Sequence, residues 1–193
     1  MNMEQAIKIV GGKIAGPRYD HTLRVLDTAR ELGKNVGVDV KKTEIAAVFH
    51  DYAKLLSIPE LKVKVSDARE DPRLLAYHPE LWHGPVAAQI VLDEFDISDK
   101  DILNAIRFHT TGRANMSMLE KVIFLADYIE PGRSFPGVEE VRELVKEDIN
   151  KALLYALGNT IQFLIIKKAL IFPDTFEAYN HLIFKKERNY IGD

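Results

Sequence analysis

The sequence predicts an all-α protein, a helical bundle forming one domain over residues 1–193. Three observations carry this reading. Apolar residues recur at three- and four-residue spacing along most of the chain, the period of a helix with one buried face. Prolines, glycines and capping residues break that pattern at helix-length intervals. No strand pair, internal repeat or low-complexity segment interrupts it.

In order, residues 3–10 make a short first helix, ended by Gly11-Gly12. A second covers 17–34, with Pro17 near its start and Val25, Leu26, Ala29 and Leu32 as its apolar stripe. The third covers 41–55 and buries Ile45, Ala46, Phe49, Tyr52 and Ala53. Residues 56–82 are less regular, with Pro59, Pro72, Pro79 and one short helix over 60–65. At His83-Gly84-Pro85 another helix begins. Pro85 fits its first position, and Val86, Ala87, Ile90, Val91 and Phe95 form its stripe. Ser98 with Asp101 reads as a capping box for a helix bearing Ile102, Ala105 and Ile106. Ser117 opens a helix to about residue 129, stopped by Pro131-Gly132. Helices follow over 138–146 and from Asp148 to about residue 171. Asp174 with Glu177 reads as the capping box of a terminal helix carrying Tyr179 and Leu182. Lys185-Lys186-Glu187-Arg188 reads as a solvated end that complements the helix dipole.

Composition narrows the function. The chain is 47% hydrophobic and 28% charged, ordinary values for a soluble globular domain. A net charge of -3 gives no basic field for nucleic acid. Cysteine is absent, so any metal must be held by nitrogen and oxygen. The N-terminus mixes Glu4 and Lys8 into its apolar residues, unlike a signal peptide. The apolar runs at 122–126 and 163–166 are too short to span a bilayer. The expectation is a cytoplasmic protein without nucleic-acid or membrane partners.

The chemistry centres on Phe49-His50-Asp51-Tyr52-Ala53-Lys54. His50 and Lys54 are four apart and Asp51 and Lys54 three apart, so all three lean toward one side of a helix. Neighbouring His50 and Asp51 diverge by about 100°. They can bind one metal ion from adjacent directions, or one metal and its neighbour. Taken alone, the doublet reads as a helix end with two solvated polar residues. Other polar residues fall in apolar places, however. Asp127 interrupts the run 122–129, where a carboxylate must face water or a cation. His109 continues the stripe of Ile102, Ala105 and Ile106. His83 stands at a helix N-terminus, and His21 shares a helix face with Arg24. Each has a bland explanation as a core, cap or surface residue. Together they put ligand-type side chains on or beside five helices, and bundles build metal sites that way. The sulfur-free set suits iron, manganese or zinc. His78 and His181 continue no inward stripe and read as surface residues.

The order His21, His50-Asp51, Asp127 resembles the HD superfamily of metal-dependent phosphohydrolases. His83 and His109 resemble its subset with extra histidines before the last aspartate. The strings Arg18-Tyr19-Asp20-His21, Trp82-His83-Gly84-Pro85, His109-Thr110-Thr111-Gly112, Asp127 to Arg133 and Pro173 to Asn180 narrow the match. They resemble the bacterial HD-domain symmetrical diadenosine tetraphosphatase family, over nearly the whole chain. The resemblance implies an HD-type helical bundle. It also implies iron bound by His21, His50, Asp51 and Asp127, and a nucleoside diphosphate product in the adjacent pocket.

On that basis each residue has an expected part. A bound metal lowers the pKa of water from 15.7 to about 7 in a favourable site. Hydroxide generated there would attack a β-phosphate of diadenosine tetraphosphate and release two ADP. Asp51, Asp127 and Lys54 are the expected catalytic residues, Lys54 meeting a phosphate oxygen as a point charge. Asp51 could bridge to a second metal held by His83 and His109; alternatively, these histidines hydrogen-bond the phosphates. His21, Arg24, Arg133 and Thr110 border the polyphosphate. The loop holding Pro173, Asp174 and Thr175 could receive the base, with Phe172 and Phe176 as stacking faces. The rival readings are another HD phosphohydrolase acting on nucleotides or phosphodiesters, and a nucleotide-sensing or RNA-associated module with a vestigial metal site. The full ligand set and near-neutral charge speak against the module. A homodimer is compatible with all three.

Overall fold

The computed structural model describes residues 1–67 and 70–191, with side chains through residue 184. The segment Lys185 to Arg188 therefore lies outside the described side chains. Among the described residues there are ten α-helices and no strand. They are α1 (Met3–Lys13), α2 (Pro17–Asn35), α3 (Val40–Phe49), α4 (Ile58–Val65), α5 (His83–Phe95), α6 (Lys100–Arg107), α7 (Met118–Ile129), α8 (Val138–Glu147), α9 (Ile149–Ile166) and α10 (Pro173–Ile191). Short 3-10 turns at Tyr52–Leu55, Pro72–Ala76 and Pro79–Leu81 join α3 to α5 around α4.

Local chemistry explains most ends. Asn2 and Gln5 form a capping box on α1, and Ser57 with Glu60 does the same on α4. Asp39, Ser117 and Asp148 accept amides of the first turns of α3, α7 and α9. Several expected boundaries are corrected. Helix α1 runs through Gly11-Gly12 to Lys13. Gly11 is useful there, because a Cβ would stand 3.2 Å from the Tyr19 ring. Asp99, not Ser98, caps α6. Asp101 instead accepts the Ser117 hydroxyl at 2.6 Å and ties α6 to α7. Helix α5 starts at His83, so Pro85 is its third residue, where a missing N–H still costs no helical bond. Helix α9 stops at Ile166, because Lys168 turns to φ 53° and the following amides fold back on Ile165 and Leu164. Asp174 lies in the first turn of α10 rather than at its cap.

The largest correction falls on the region 41–55. Helix α3 ends at Phe49. The His50 ring takes the Ala47 carbonyl at 2.7 Å, the group that the Asp51 amide would need to continue the helix. Asp51 then sits at φ −100°, ψ 10°, in the sparsely populated bridge region. The doublet is therefore held on a turn, not on a helix face.

One apolar cluster runs from Ala6 on α1 to Leu182 on α10. Helices α3 and α7 are its axis. The first packs on α1, α2, α5, α6 and α7, and the second also meets α8 and α9. Phe49 is fully buried, with ring centres 5.5 Å from Tyr52 and 5.1 Å from Phe95. A ring buried this way contributes about 1.5–3 kcal/mol, and it anchors the turn that carries His50. Helix α9 departs from the expectation about apolar length. Its 18 residues have a mean hydropathy of 1.3, long and apolar enough by composition to cross a membrane. Its inner stripe, including Ala152, Leu153, Ala156 and Leu157, is committed to the core. His78 is exposed as expected, whereas His181 is half-buried beside Arg113.

Candidate metal centre

Four histidines and two aspartates meet where these helices converge. His21 comes from α2, His50 and Asp51 from the turn after α3, and His83 from the first position of α5. His109 comes from the turn after α6, and Asp127 from the last turns of α7. Each imidazole is tied at Nδ1. His50, His83 and His109 donate to the carbonyls of Ala47, Glu80 and Ile106 at 2.7, 2.6 and 2.8 Å. His21 Nδ1 lies 3.1 Å from the Glu130 carboxylate. A carbonyl can only accept, so it fixes the proton on Nδ1. The Nε2 lone pairs are then left to point inward, as in metal-binding histidines.

The inward atoms fit a cation. His50 Nε2 is buried with no hydrogen-bond partner among the described residues. His83 Nε2 and His109 Nε2 are 2.9 Å apart, two acceptors facing one another. Burial pushes the His50 pKa down to about 4 and lowers that of His83, so neither carries a charge at neutral pH. The ligand atoms of His21, His50 and Asp127 lie within 4.8 Å of one another, as do those of His50, Asp51 and His109. Two nitrogen ligands each near 2.0–2.1 Å from a zinc-like ion stand at most about 4.2 Å apart, so a small contraction closes either group on one ion.

Asp51 stands between the two groups. Its Oδ1 is 3.1 Å from His83 Nε2 and 3.7 Å from His109 Nε2. Its Oδ2 is 3.3 Å from Arg18 Nη1 and 3.9 Å from His21 Nε2. Burial alone would raise the Asp51 carboxyl, but His50, His109 and His83 around it hold it well below the usual range. Asp127 follows the same balance. Burial raises it, and the His21 hydrogen bond with nearby His50 and Arg133 brings it down on balance. Both aspartates are therefore anions at neutral pH.

Similarity to known proteins agrees with this geometry. The HD domain model matches residues 18–132, a span that contains all six side chains. A symmetrical bis(5'-nucleosyl)-tetraphosphatase of Bacillus subtilis (strain 168) is 50% identical over 183 residues, covering 95% of this chain and 98% of that protein. The chain belongs to the HD-domain symmetrical bis(5'-nucleosyl)-tetraphosphatase family. The Staphylococcus aureus protein of the same name is 37% identical, with 97% and 98% covered. A crystal structure described as a predicted HD superfamily hydrolase involved in NAD metabolism, from Clostridium acetobutylicum, aligns with a TM-score of 0.90 at 39% identity. That alignment covers 96% of this chain and 98% of the other.

Around the HD residues lies a ring of charge. Glu130, only 2% exposed, was given no part by sequence reasoning, yet it accepts from His21 Nδ1, from Arg24 Nε at 2.5 Å and from the Gly132 amide at 2.6 Å. Arg18 was also missed, and it reaches Asp51. The signal for both is spacing. Arg18 and Arg24 flank His21 by three residues, and Glu130 follows Asp127 by three. Arg133 donates to the Asp127 carboxylate and, from Nε, to the Asp127 carbonyl at 2.9 Å. Lys54 pairs with Glu80 at 2.7 Å and is close enough to help lower the His83 pKa.

A cavity of about 260 Å³ opens beside the aspartate, lined by His109, Thr110, Asp127 and Arg133. The Thr110 hydroxyl is buried there with no partner among the described residues. Pro173, Asp174 and Thr175 do not line this cavity. Asp174 pairs with Arg73 at 3.0 Å, Thr175 is buried, and Phe172 packs on Tyr77.

Gly84 sets the approach of α5 to α6 in this HD-domain protein. A Cβ there would stand 2.8 Å from the Arg107 carbonyl oxygen, 3.1 Å from that of Ile106 and 3.3 Å from His109 Nδ1. Two of the three are backbone or its neighbour and cannot swing away. Gly84→Ala is expected to cost about 1–3 kcal/mol, as overpacking does, and to weaken metal binding by moving His83 from His109. Chemical denaturation and metal titration check this. Unchanged values in both would mean that the helices separate freely.

Proposed function

We propose that this chain hydrolyses diadenosine tetraphosphate symmetrically to two ADP at a centre of divalent metal. The observation that carries the reading is the set of tautomer-locked imidazoles. A buried, unpartnered His50 Nε2 and two opposed acceptors at His83 and His109 need a cation nearby. His21, His50, Asp51 and Asp127 would hold one ion, and His83, His109 and the second Asp51 oxygen another. The alternative for His83 and His109, direct contact with phosphate, is disfavoured by the tautomers that the Glu80 and Ile106 carbonyls select. With Nδ1 of both rings donating to carbonyls, a phosphate oxygen would add a third acceptor to two acceptor nitrogens. Iron is the proposed metal, with manganese or zinc as substitutes that the same nitrogen and oxygen donors accept. When bound, such ions acidify water and neutralise phosphate charge.

The chain's own residues supply the rest. Arg133 is fixed by Asp127 and is 38% exposed, so its remaining donors can grip a phosphate beside the centre. Thr110 offers a free hydroxyl to the same group. Asp127, kept anionic by His21 and Arg133, can accept a hydrogen bond from the attacking water and aim it. Arg24 borders the polyphosphate while holding Glu130 in place. Together these groups position one nucleoside diphosphate half for in-line attack on its β-phosphorus, and the other half leaves as ADP.

A substrate panel tests the reading. Diadenosine tetraphosphate should be consumed far faster than cyclic nucleotides or simple phosphodiesters, and the reverse order would reassign the enzyme within the HD superfamily. Lys54→Met should keep its metal and lose about tenfold in activity. A charge-assisted contact is worth roughly 1.5–3 kcal/mol, and Lys54 already shares its charge with Glu80. Metal analysis and steady-state rates on one preparation check this. Normal turnover would remove Lys54 from the phosphate path.

A further inference from the structure

Helix α8 turns one charged residue inward. Val138 and Val141 are buried in the core, and Arg142, on the same face, is the only charged residue of α8 that is not exposed. Its guanidinium meets backbone. Nε donates to the Ile129 carbonyl at 2.9 Å, and Nη2 donates to the carbonyls of Glu130 and Arg133 at 2.9 and 3.0 Å. Nη1 pairs with exposed Glu139. Ile129 ends α7, and the Arg133 amide returns to the Glu130 carbonyl at 2.9 Å, closing a turn. One planar group therefore spans that turn from end to end. We propose that Arg142 is a positioning residue for the reaction: through this turn it aims both the Glu130 carboxylate that orients His21 and the Arg133 guanidinium beside the phosphate path. The proposal rests on the phosphohydrolase reading above and adds a residue that lies outside the lining of the metal-side cavity.

The two clasped residues serve the two halves of the site. Glu130 accepts from His21 Nδ1 at 3.1 Å, on the metal side. Arg133 lines the cavity and donates to the Asp127 carbonyl at 2.9 Å, on the phosphate side. Each side chain points correctly only if the backbone beneath it is fixed. The turn supplies little of that itself, because Pro131 has no N–H and the Gly132 amide is spent on the Glu130 carboxylate at 2.6 Å. Carbonyls at a helix C-terminus lack intrahelical partners and carry the negative end of the dipole. A cation suits them, and a forked one can satisfy several in a fixed geometry where an ammonium cannot. The packing of α8 against α7 and α9 holds the fork in place. A shift of the turn would also spread. A Cβ on Gly132 would stand 2.6 Å from Arg24 Nη2, so Arg24 lies directly against this backbone.

The test compares the full chain with Arg142→Met, Arg142→Lys and Glu139→Gln. Two affinities are read without turnover: manganese against a competing chelator, and inorganic pyrophosphate on the manganese-saturated protein by calorimetry. Arg142→Met should lose about tenfold in both, the lower end of the range for groups that orient metal-binding histidines. Arg142→Lys keeps the charge but not the fork, and should recover only part of each loss. Glu139→Gln removes the exposed ion pair alone and should match the parent. Parent-like affinities in Arg142→Met, with only its denaturation midpoint lowered, would overturn the proposal and make the clasp a stability device. Parent-like affinities in Arg142→Lys would overturn it as well, whether or not the methionine variant folds. A loss confined to manganese or to pyrophosphate would also overturn it, because one guanidinium would not then aim both side chains. Turnover of diadenosine tetraphosphate by the parent is read separately. Its absence would reassign the enzyme, while the two affinities still decide the part of Arg142.

Discussion

His50→Ala is expected to give a folded protein that retains neither metal nor turnover. The residue contributes an inward Nε2 that nothing in the described structure satisfies. In the proposed centre its loss would remove a donor from the first group of ligands. Activity should fall by at least about a thousandfold, since the acidification of water that would be forfeited is larger than that. The helices remain, because the packing of α3 is carried by Ile45, Ala46, Val48 and Phe49. Metal analysis of protein purified without added metal, circular dichroism and an activity assay on the same sample read all three quantities. Exposed His78 provides the control, and His78→Ala should match the parent. Full metal content and turnover in His50→Ala would place the ion elsewhere.

Glu130→Gln comes next in size. The carboxylate accepts from His21, Arg24 and Gly132 together. A glutamine has one carbonyl oxygen for three donors, and its amide group faces donors with a donor. Two things then loosen at once: the tautomer of His21 and the direction of Arg24. Changes to groups that orient metal-binding histidines typically cost 10–100-fold in affinity or activity. With both partners affected, the expectation is about a hundredfold loss of metal affinity. Titration against a competing chelator measures it, and excess metal should restore part of the rate. Unchanged affinity would mean that His21 is oriented by Asp127 alone.

The helices were legible because their apolar stripes are local. Val25, Leu26 and Ala29 on α2, or Ile102, Ala105 and Ile106 on α6, announce their faces without tertiary information. Errors arose where a side chain competed with the backbone. Nothing in the periodicity of 41–55 indicates that the His50 ring will capture the Ala47 carbonyl and end α3. The apolar run past residue 163 likewise continues a helical pattern that the turn at Lys168 breaks.

The six ligand-type residues were visible for the opposite reason: each interrupts an apolar surface or stands at a helix end. Their meeting point is a property of the packed bundle, and so is the part of Glu130. A glutamate after a helix looks like ordinary surface charge until α2 is laid against α7 and Arg24 and His21 are brought to it.

Hydrolysis of diadenosine tetraphosphate in water enriched with heavy oxygen, with chromatography and mass analysis of the earliest products, addresses the central claim most directly. In the proposed arrangement Arg133 and Thr110 beside Asp127 would set which phosphorus faces the attacking water. Attack at the β-phosphorus of one half should yield two ADP, one of them labelled on its β-phosphate. Initial formation of AMP and ATP would contradict the account, because the substrate would then be gripped one phosphate further along than these residues place it.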